Sequence, residues 1–180
     1  RQPDIIAFSS TTHQYEAVEE CAGWIKPAFP SVFLLAGGTH PTLAPEEVAG
    51  NPHLDALCVG EGEEALLELA DALQAGRQPA GIRNLWLRRG DEWEQNPLRP
   101  LIADLDALPF ADREIFDFGE IVARNGGWVD LLAGRGCPYS CSYCCNPGLK
   151  ARYKGLGRYV RSRSVENVLA ESESLASRYA

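Results

Sequence analysis

Three observations predict an α/β protein built on parallel strands. Residues 4–76 alternate short apolar runs with stretches of helical periodicity, and loops rich in glycine or hydroxyl residues follow the apolar runs. After Gly127 the same strand, loop and helix pattern starts again. Between these stretches lies a proline-punctuated connector that carries one small hairpin. The expected boundaries are a first domain over residues 1–76, a connector over 77–119 and a second domain opening at 120.

Asp4-Ile-Ile-Ala-Phe-Ser-Ser reads as a strand ending in small hydroxyl residues, Ser9, Ser10 and Thr11. Val18, Cys21, Ala22 and Ile25 then recur at helical spacing, with Pro27 as a nearby stop. Ser31-Val-Phe-Leu-Leu-Ala is a buried strand that runs into Gly37, Gly38, Thr39 and His40. Pro45-Glu-Glu-Val48 is a short helix whose acids suit its N-terminal dipole. Leu54–Val59 is a third strand, followed by Gly60, Glu61 and Gly62. The next helix is expected to bury Leu66, Leu69, Ala70 and Leu73 and to stop at Gly76. Asn84–Arg89 and Asp91–Glu94 form a hairpin around Gly90, with Trp86 and Trp93 covering a seam between domains. Trp128–Ala133 is the next strand, and Ser164 caps a helix that turns Val165, Val168, Leu169 and Leu175 inward. In open α/β sheets ligands lie beyond the carboxyl ends of the strands, which is where the three loops at Ser9, Gly37 and Gly60 fall. Glycine after a strand is equally ordinary turn chemistry, so these loops alone decide nothing.

The composition is that of a globular protein, 45% hydrophobic and 23% charged over 180 residues. No apolar run approaches the roughly 18 residues that span a bilayer. The net charge of −8 is concentrated in the first half, which argues against nucleic acid there. The basic run Lys150, Arg152, Lys154, Arg158, Arg161 and Arg163 could meet RNA or an anionic substrate. The favoured reading is a solvated face, or packing against acids of the same chain. With no methionine at position 1 and helical periodicity up to the last residue, the chain reads as an internal piece of a longer protein.

Cys137, Cys141 and Cys144 stand in a Cys-x3-Cys-x2-Cys triplet, and Cys145 follows directly. Three thiolates can hold three corners of an iron–sulfur cubane and leave one iron open, whereas electron-transfer clusters are usually closed by four cysteines. A structural zinc site needs four ligands, commonly as two separated pairs, and Cys145 is poorly placed to serve as the fourth. Disulfides are the remaining alternative for six cysteines, and no secretory segment supports them. Cys21 and Cys58 read as small core residues.

The triplet, with Tyr143 just before its last cysteine, resembles the signature of radical S-adenosylmethionine enzymes. Gly37-Gly-Thr-His-Pro-Thr42, Gly60-Glu-Gly-Glu-Glu64, Leu105-Asp-Ala-Leu-Pro-Phe110 and Arg135-Gly-Cys-Pro-Tyr139 follow in the order seen in one subfamily. In that subfamily a cobalamin-binding domain precedes the radical barrel, and the similarity covers nearly the whole chain. The resemblance implies the C-terminal half of a Rossmann-like cobalamin-binding domain, the connector, and the first strand–loop–helix unit of a (β/α) barrel over 120–180. It implies a 4Fe-4S cluster on Cys137, Cys141 and Cys144 whose open iron takes S-adenosylmethionine and releases a 5′-deoxyadenosyl radical, with Tyr143 near the adenine. Ser9, Ser10, Thr11, Gly37, Gly38, Thr39, His40, Gly60, Glu61 and Gly62 would face the corrinoid and its nucleotide tail.

Also implied are a small-molecule substrate, methyl transfer or oxidative cyclisation, an external donor such as flavodoxin or ferredoxin, and a reducing, cytoplasmic setting. Neither a membrane nor a nucleic acid is an expected partner. The Asp-x-His-x-x-Gly string of histidine-ligated corrinoid proteins is missing, so His40 reads as a loop residue rather than a cobalt ligand. The competing readings are a radical enzyme whose α/β domain holds no cobalamin, and a non-enzymatic α/β module with a zinc knuckle.

Overall fold

A computed structural model describes residues 3–179. Its elements run, in order, β1 (Ile5–Ser9), α1 (Thr12–Ala28), β2 (Phe33–Gly37), α2 (Thr39–Leu43), α3 (Pro45–Ala49), β3 (Ala56–Cys58), α4 (Glu63–Gln74), β4 (Leu85–Arg89), β5 (Glu92–Gln95), α5 (Phe118–Arg124), β6 (Gly134–Arg135), α6 (Asn146–Arg152), β7 (Arg161–Ser162) and α7 (Val165–Tyr179). Two compact units emerge: Arg1–Leu101 with Ser142–Leu156, and Ile102–Cys141 with Gly157–Ala180.

In the first unit a single sheet has the order β1-β2-β3-β4-β5. β1, β2 and β3 are parallel, with Ser9 opposite Gly37 and Ala36 opposite Leu57, and β4 and β5 add antiparallel. Successive strand residues point to opposite faces, so β1 to β4 each feed two cores. Leu34, Ala36, Leu57, Val59 and Trp86 pack with Tyr15, Val18 and Ala22 of α1 and Val48 of α3. Leu35, Ala56, Cys58, Leu85 and Leu87 pack with Ala65 and Leu69 of α4. Each fully buried leucine contributes about 1.5–3 kcal/mol. Thr11 and Gln14 close a capping box at the start of α1, and Pro27 lies inside its last turn.

Two expectations about this unit need correction. Trp86 and Trp93, expected at a seam between domains, both pack on the core of the first unit. Trp86 lies in the sheet core, and Trp93 stacks under Arg88 at 4.3 Å and donates its indole N–H to the Ala49 carbonyl. α4 buries Ala65, Leu69 and Ala72, while Leu66 stays exposed. Both stripes share Leu69 at helical period, and the small alanines let the helix approach the sheet more closely than leucines would.

In the second unit β6 and β7 form an antiparallel pair, with Gly134 opposite Ser162. Ser164 caps α7 as expected, accepting the Asn167 N–H, and Asp106 accepts the Ser164 N–H at 3.0 Å. The Leu105–Phe110 motif thus has a structural task. The expected strand Trp128–Ala133 is absent: a parallel strand is held only by neighbours, and no described strand lies beside it. Trp128 and Leu132 are exposed, and the Ala133 carbonyl instead accepts the Arg163 N–H. α7 is also turned differently from expectation. Glu171 is 4% exposed and is paired with Arg113 at 2.8 Å and Arg163 at 2.5 Å, which draws that face inward with Leu175. Val165 and Leu169 are left outside.

Candidate functional site

Three loops meet at the carboxyl edge of the parallel strands, where the register of β1 on β2 puts Ser9 beside Gly37. Thr11 is occupied in capping α1. Gly38 has φ 97°, and a Cβ there would lie 2.6 Å from the Ser10 nitrogen, so this glycine is demanded by the close approach of the first loop. The Ser10 carbonyl accepts the His40 N–H, and Thr39 opens α2, a helix that the glycine-rich string did not announce. The Thr42 hydroxyl donates to the Gly38 carbonyl at 2.7 Å and accepts the Gly60 N–H at 3.0 Å, tying the second loop to the third. Gly60 has φ 102°, and a Cβ there would meet the Tyr153 ring at 3.4 Å. Gly62 ends this loop at the start of α4, with Glu63 and Glu64 in its first turn.

Two polar side chains at this edge are buried without hydrogen-bond partners, the Ser10 hydroxyl and His40 Nε2. The His40 ring rests 4.5 Å from that of Tyr15, and its Nε2 lies 3.8 Å from a Glu47 carboxylate oxygen, beyond hydrogen-bonding distance. Burial, with the charge of Glu19 adding, pushes the Tyr15 hydroxyl up to about 12. Cys58 packs beneath two of the loops, with its Cβ against Gly37 and its Sγ against Gly62. Burial, with Glu63 adding, pushes its thiol up to about 12, so it is a neutral core group. Orphaned buried polar atoms beside glycine-bearing strand ends fit a bulky polar ligand.

The cysteine loop leaves β6 through Gly136. A Cβ at Gly136 would fall 2.2 Å from the Tyr159 carbonyl, and one at Gly134 would fall 2.5 Å from that of Arg161. All four cysteines of the loop are free thiols. Cys137 and Cys141 belong to the second unit, and Cys144 and Cys145 to the first. Among the described residues no three His, Cys, Asp or Glu side chains converge as a metal site. The donor set itself suits a soft metal. The Asn146 backbone N–H and its side-chain amide, 3.2 Å from the sulfur, hold the Cys144 thiol below its ordinary value. Burial, and the neighbouring Cys144, raise that of Cys145. Tyr143 is 91% exposed.

Sequence reasoning missed α6, which begins directly after the cysteines with Pro147 in its first turn. Pro147 is the signal that could have found it. Gly148 of α6 packs on Leu43, and the Leu156 carbonyl accepts the Leu101 N–H. Two arginines of the basic run turn inward. Arg161 is 8% exposed and donates to the Ile102 carbonyl, and Arg163 pairs with Glu171.

Known proteins match this geometry. Residues 1–70 fit the B12 binding domain family. An uncharacterized methyltransferase of Pyrococcus horikoshii is 31% identical over 98% of the chain and 38% of its own length. The anaerobic magnesium-protoporphyrin IX monomethyl ester cyclase of Cereibacter sphaeroides is 28% identical over 99% of the chain and 29% of its own length. The cobalamin-dependent S-adenosylmethionine radical enzyme OxsB, solved with aqua-cobalamin and S-adenosylmethionine, superposes with a TM-score of 0.72 at 25% identity, over 96% of the chain and 23% of OxsB. The chain therefore spans well under half the length of the relatives it matches. Over residues 1–70 the chain matches the B12 binding domain, and across nearly its whole length it is similar to cobalamin-dependent radical S-adenosylmethionine enzymes.

Proposed function

We propose that this chain supplies the cofactor-bearing portion of a cobalamin-dependent radical enzyme acting on a small molecule. The observation that carries this reading is the open triplet Cys137, Cys141 and Cys144 downstream of a B12-binding domain. When bound, the cluster and S-adenosylmethionine supply a radical that takes a substrate hydrogen atom, and cobalamin supplies a methyl carrier. The three thiolates would hold the cluster and, by number, leave one iron to an outside ligand. Asn146 favours the thiolate form of Cys144, and Tyr143 is free to lie against an adenine. The Ser10 hydroxyl and His40 Nε2 would give their unused hydrogen bonds to cobalamin, while the backbone at Gly38 and Gly60 lets that bulky group come close.

Relatives named as methyltransferase and as cyclase both match, so methyl transfer and oxidative cyclisation are the two reaction types proposed. Electrons would come from a flavodoxin- or ferredoxin-like donor in a reducing, cytoplasmic setting. Among the described residues no helix is long and apolar enough to cross a membrane. Full-length protein purified under argon is expected to carry cobalamin, seen by its visible spectrum. The Cys141→Ala variant should lose both cluster and S-adenosylmethionine cleavage. Cleavage that persists in this variant refutes the assignment, and one zinc per chain without iron supports the zinc module instead.

A further inference from the structure

Asn84, which directly precedes β4, is the one described non-glycine residue with positive φ, at 70°. It is 3% exposed. Left-handed backbone is strained for most residues and tolerated by asparagine. A turn that needs only this backbone is served as well by glycine. Here the side chain is engaged twice. Its amide nitrogen donates to the Glu61 carbonyl at 2.6 Å, and its amide oxygen accepts the Arg99 N–H at 2.6 Å. Its own backbone N–H donates to the Pro97 carbonyl, and its carbonyl accepts the Val59 N–H. Four hydrogen bonds thus join the end of β3, the Gly60–Gly62 loop and the Pro97–Arg99 strip. Arg99 in turn pairs with Glu64 at 3.0 Å and Glu68 at 2.7 Å, in the first turns of α4.

Gly60 is therefore gripped from two directions. Thr42 holds its N–H, and one residue later Asn84 holds the Glu61 carbonyl, with Nδ2 3.6 Å from where a Gly60 Cβ would be. We infer that Asn84 is a positioning residue for the cofactor edge. Its side-chain amide fixes the rotation of the peptide groups from Gly60 to Gly62, so that this backbone is preset to receive cobalamin. The inference rests on the cobalamin reading above and adds to it a residue in the connector, outside the loops themselves. Preorganisation of this kind raises affinity because ordering is not left to the binding step.

Two variants of the full-length protein separate side chain from backbone. Asn84→Gly keeps the left-handed turn and deletes both side-chain bonds. Asn84→Asp keeps the acceptor for Arg99 N–H and removes the donor to Glu61. Hydroxocobalamin affinity is read from the visible spectrum well below the melting temperature of the apoprotein, alongside amide hydrogen exchange at residues 60–62. Both variants should bind about tenfold more weakly, as loss of the hydrogen bond to the Glu61 carbonyl that they share implies, and exchange faster at those amides. A purely structural role would lower the melting temperature without changing affinity or local exchange in the folded protein. Variants that bind like wild type overturn the inference alone. Wild type that binds no cobalamin overturns the cobalamin reading, and with it the proposed role of Asn84.

Discussion

Glu171 shows how one side chain can turn a helix. Burial pushes its carboxyl up, but hydrogen bonds from Arg113 and Arg163 outweigh burial and hold it below the usual range. A folded-state value below the unfolded one gives stability that is complete above about pH 4.3. That stability is lost as pH falls through the lower folded value. Glu171→Gln should destabilise the protein by about 2 kcal/mol at neutral pH, since it leaves two half-buried arginines partly unpaired. It should also weaken the acid dependence of unfolding. Urea denaturation at neutral pH and below pH 4 checks both; equal midpoints for wild type and variant at neutral pH would show that the triad contributes nothing. The sequence hid this residue because a glutamate in a polar helix reads as solvated, and its partners Arg113 and Arg163 are separated by half a hundred positions. The same blindness put Val165 and Leu169 inside.

At the scale of elements, the alternating pattern over residues 4–76 was readable because the inner parallel strands β2 and β3, buried on both faces, are continuous apolar runs. β1, α1, β2, α3, β3 and α4 all form where periodicity and caps place them. What failed was structure that depends on partners far along the chain. Trp128–Ala133 has strand composition, yet no described strand pairs with it. The short pairing of β6 with β7 rests instead on two glycines beneath the carbonyls of Arg161 and Tyr159. Gly136, at φ 81°, enters the cysteine loop. Gly136→Ala should cost about 2 kcal/mol from backbone strain alone, and more from the clash. Iron retained after anaerobic reconstitution should fall in step, and thermal melting with iron analysis gives both numbers. Wild-type iron content in this variant would show that the loop does not depend on β6.

For the whole molecule, the sequence motifs carried the resemblance and the coordinates carried the reasons for several of them. Gly38 serves a contact with Ser10, Asp106 holds the capping residue Ser164 of α7, and Arg161 and Arg163 brace the second unit from within. The reading of the basic run as packing against acids of the same chain is supported for Arg163, which pairs with Glu171. The cysteine triplet was legible as chemistry, because three thiols at that spacing need no fold to be noticed. Its three-dimensional assembly was not, since among the described residues no three metal-ligating side chains converge.

The most direct measurement is iron and sulfide content of the full-length protein reconstituted under argon, with the electron paramagnetic resonance spectrum of the reduced form before and after adding S-adenosylmethionine. The expected result is about four irons and four sulfides per chain, with a spectrum that changes when S-adenosylmethionine reaches the open iron. A spectrum indifferent to S-adenosylmethionine, or a colourless protein holding zinc, contradicts it.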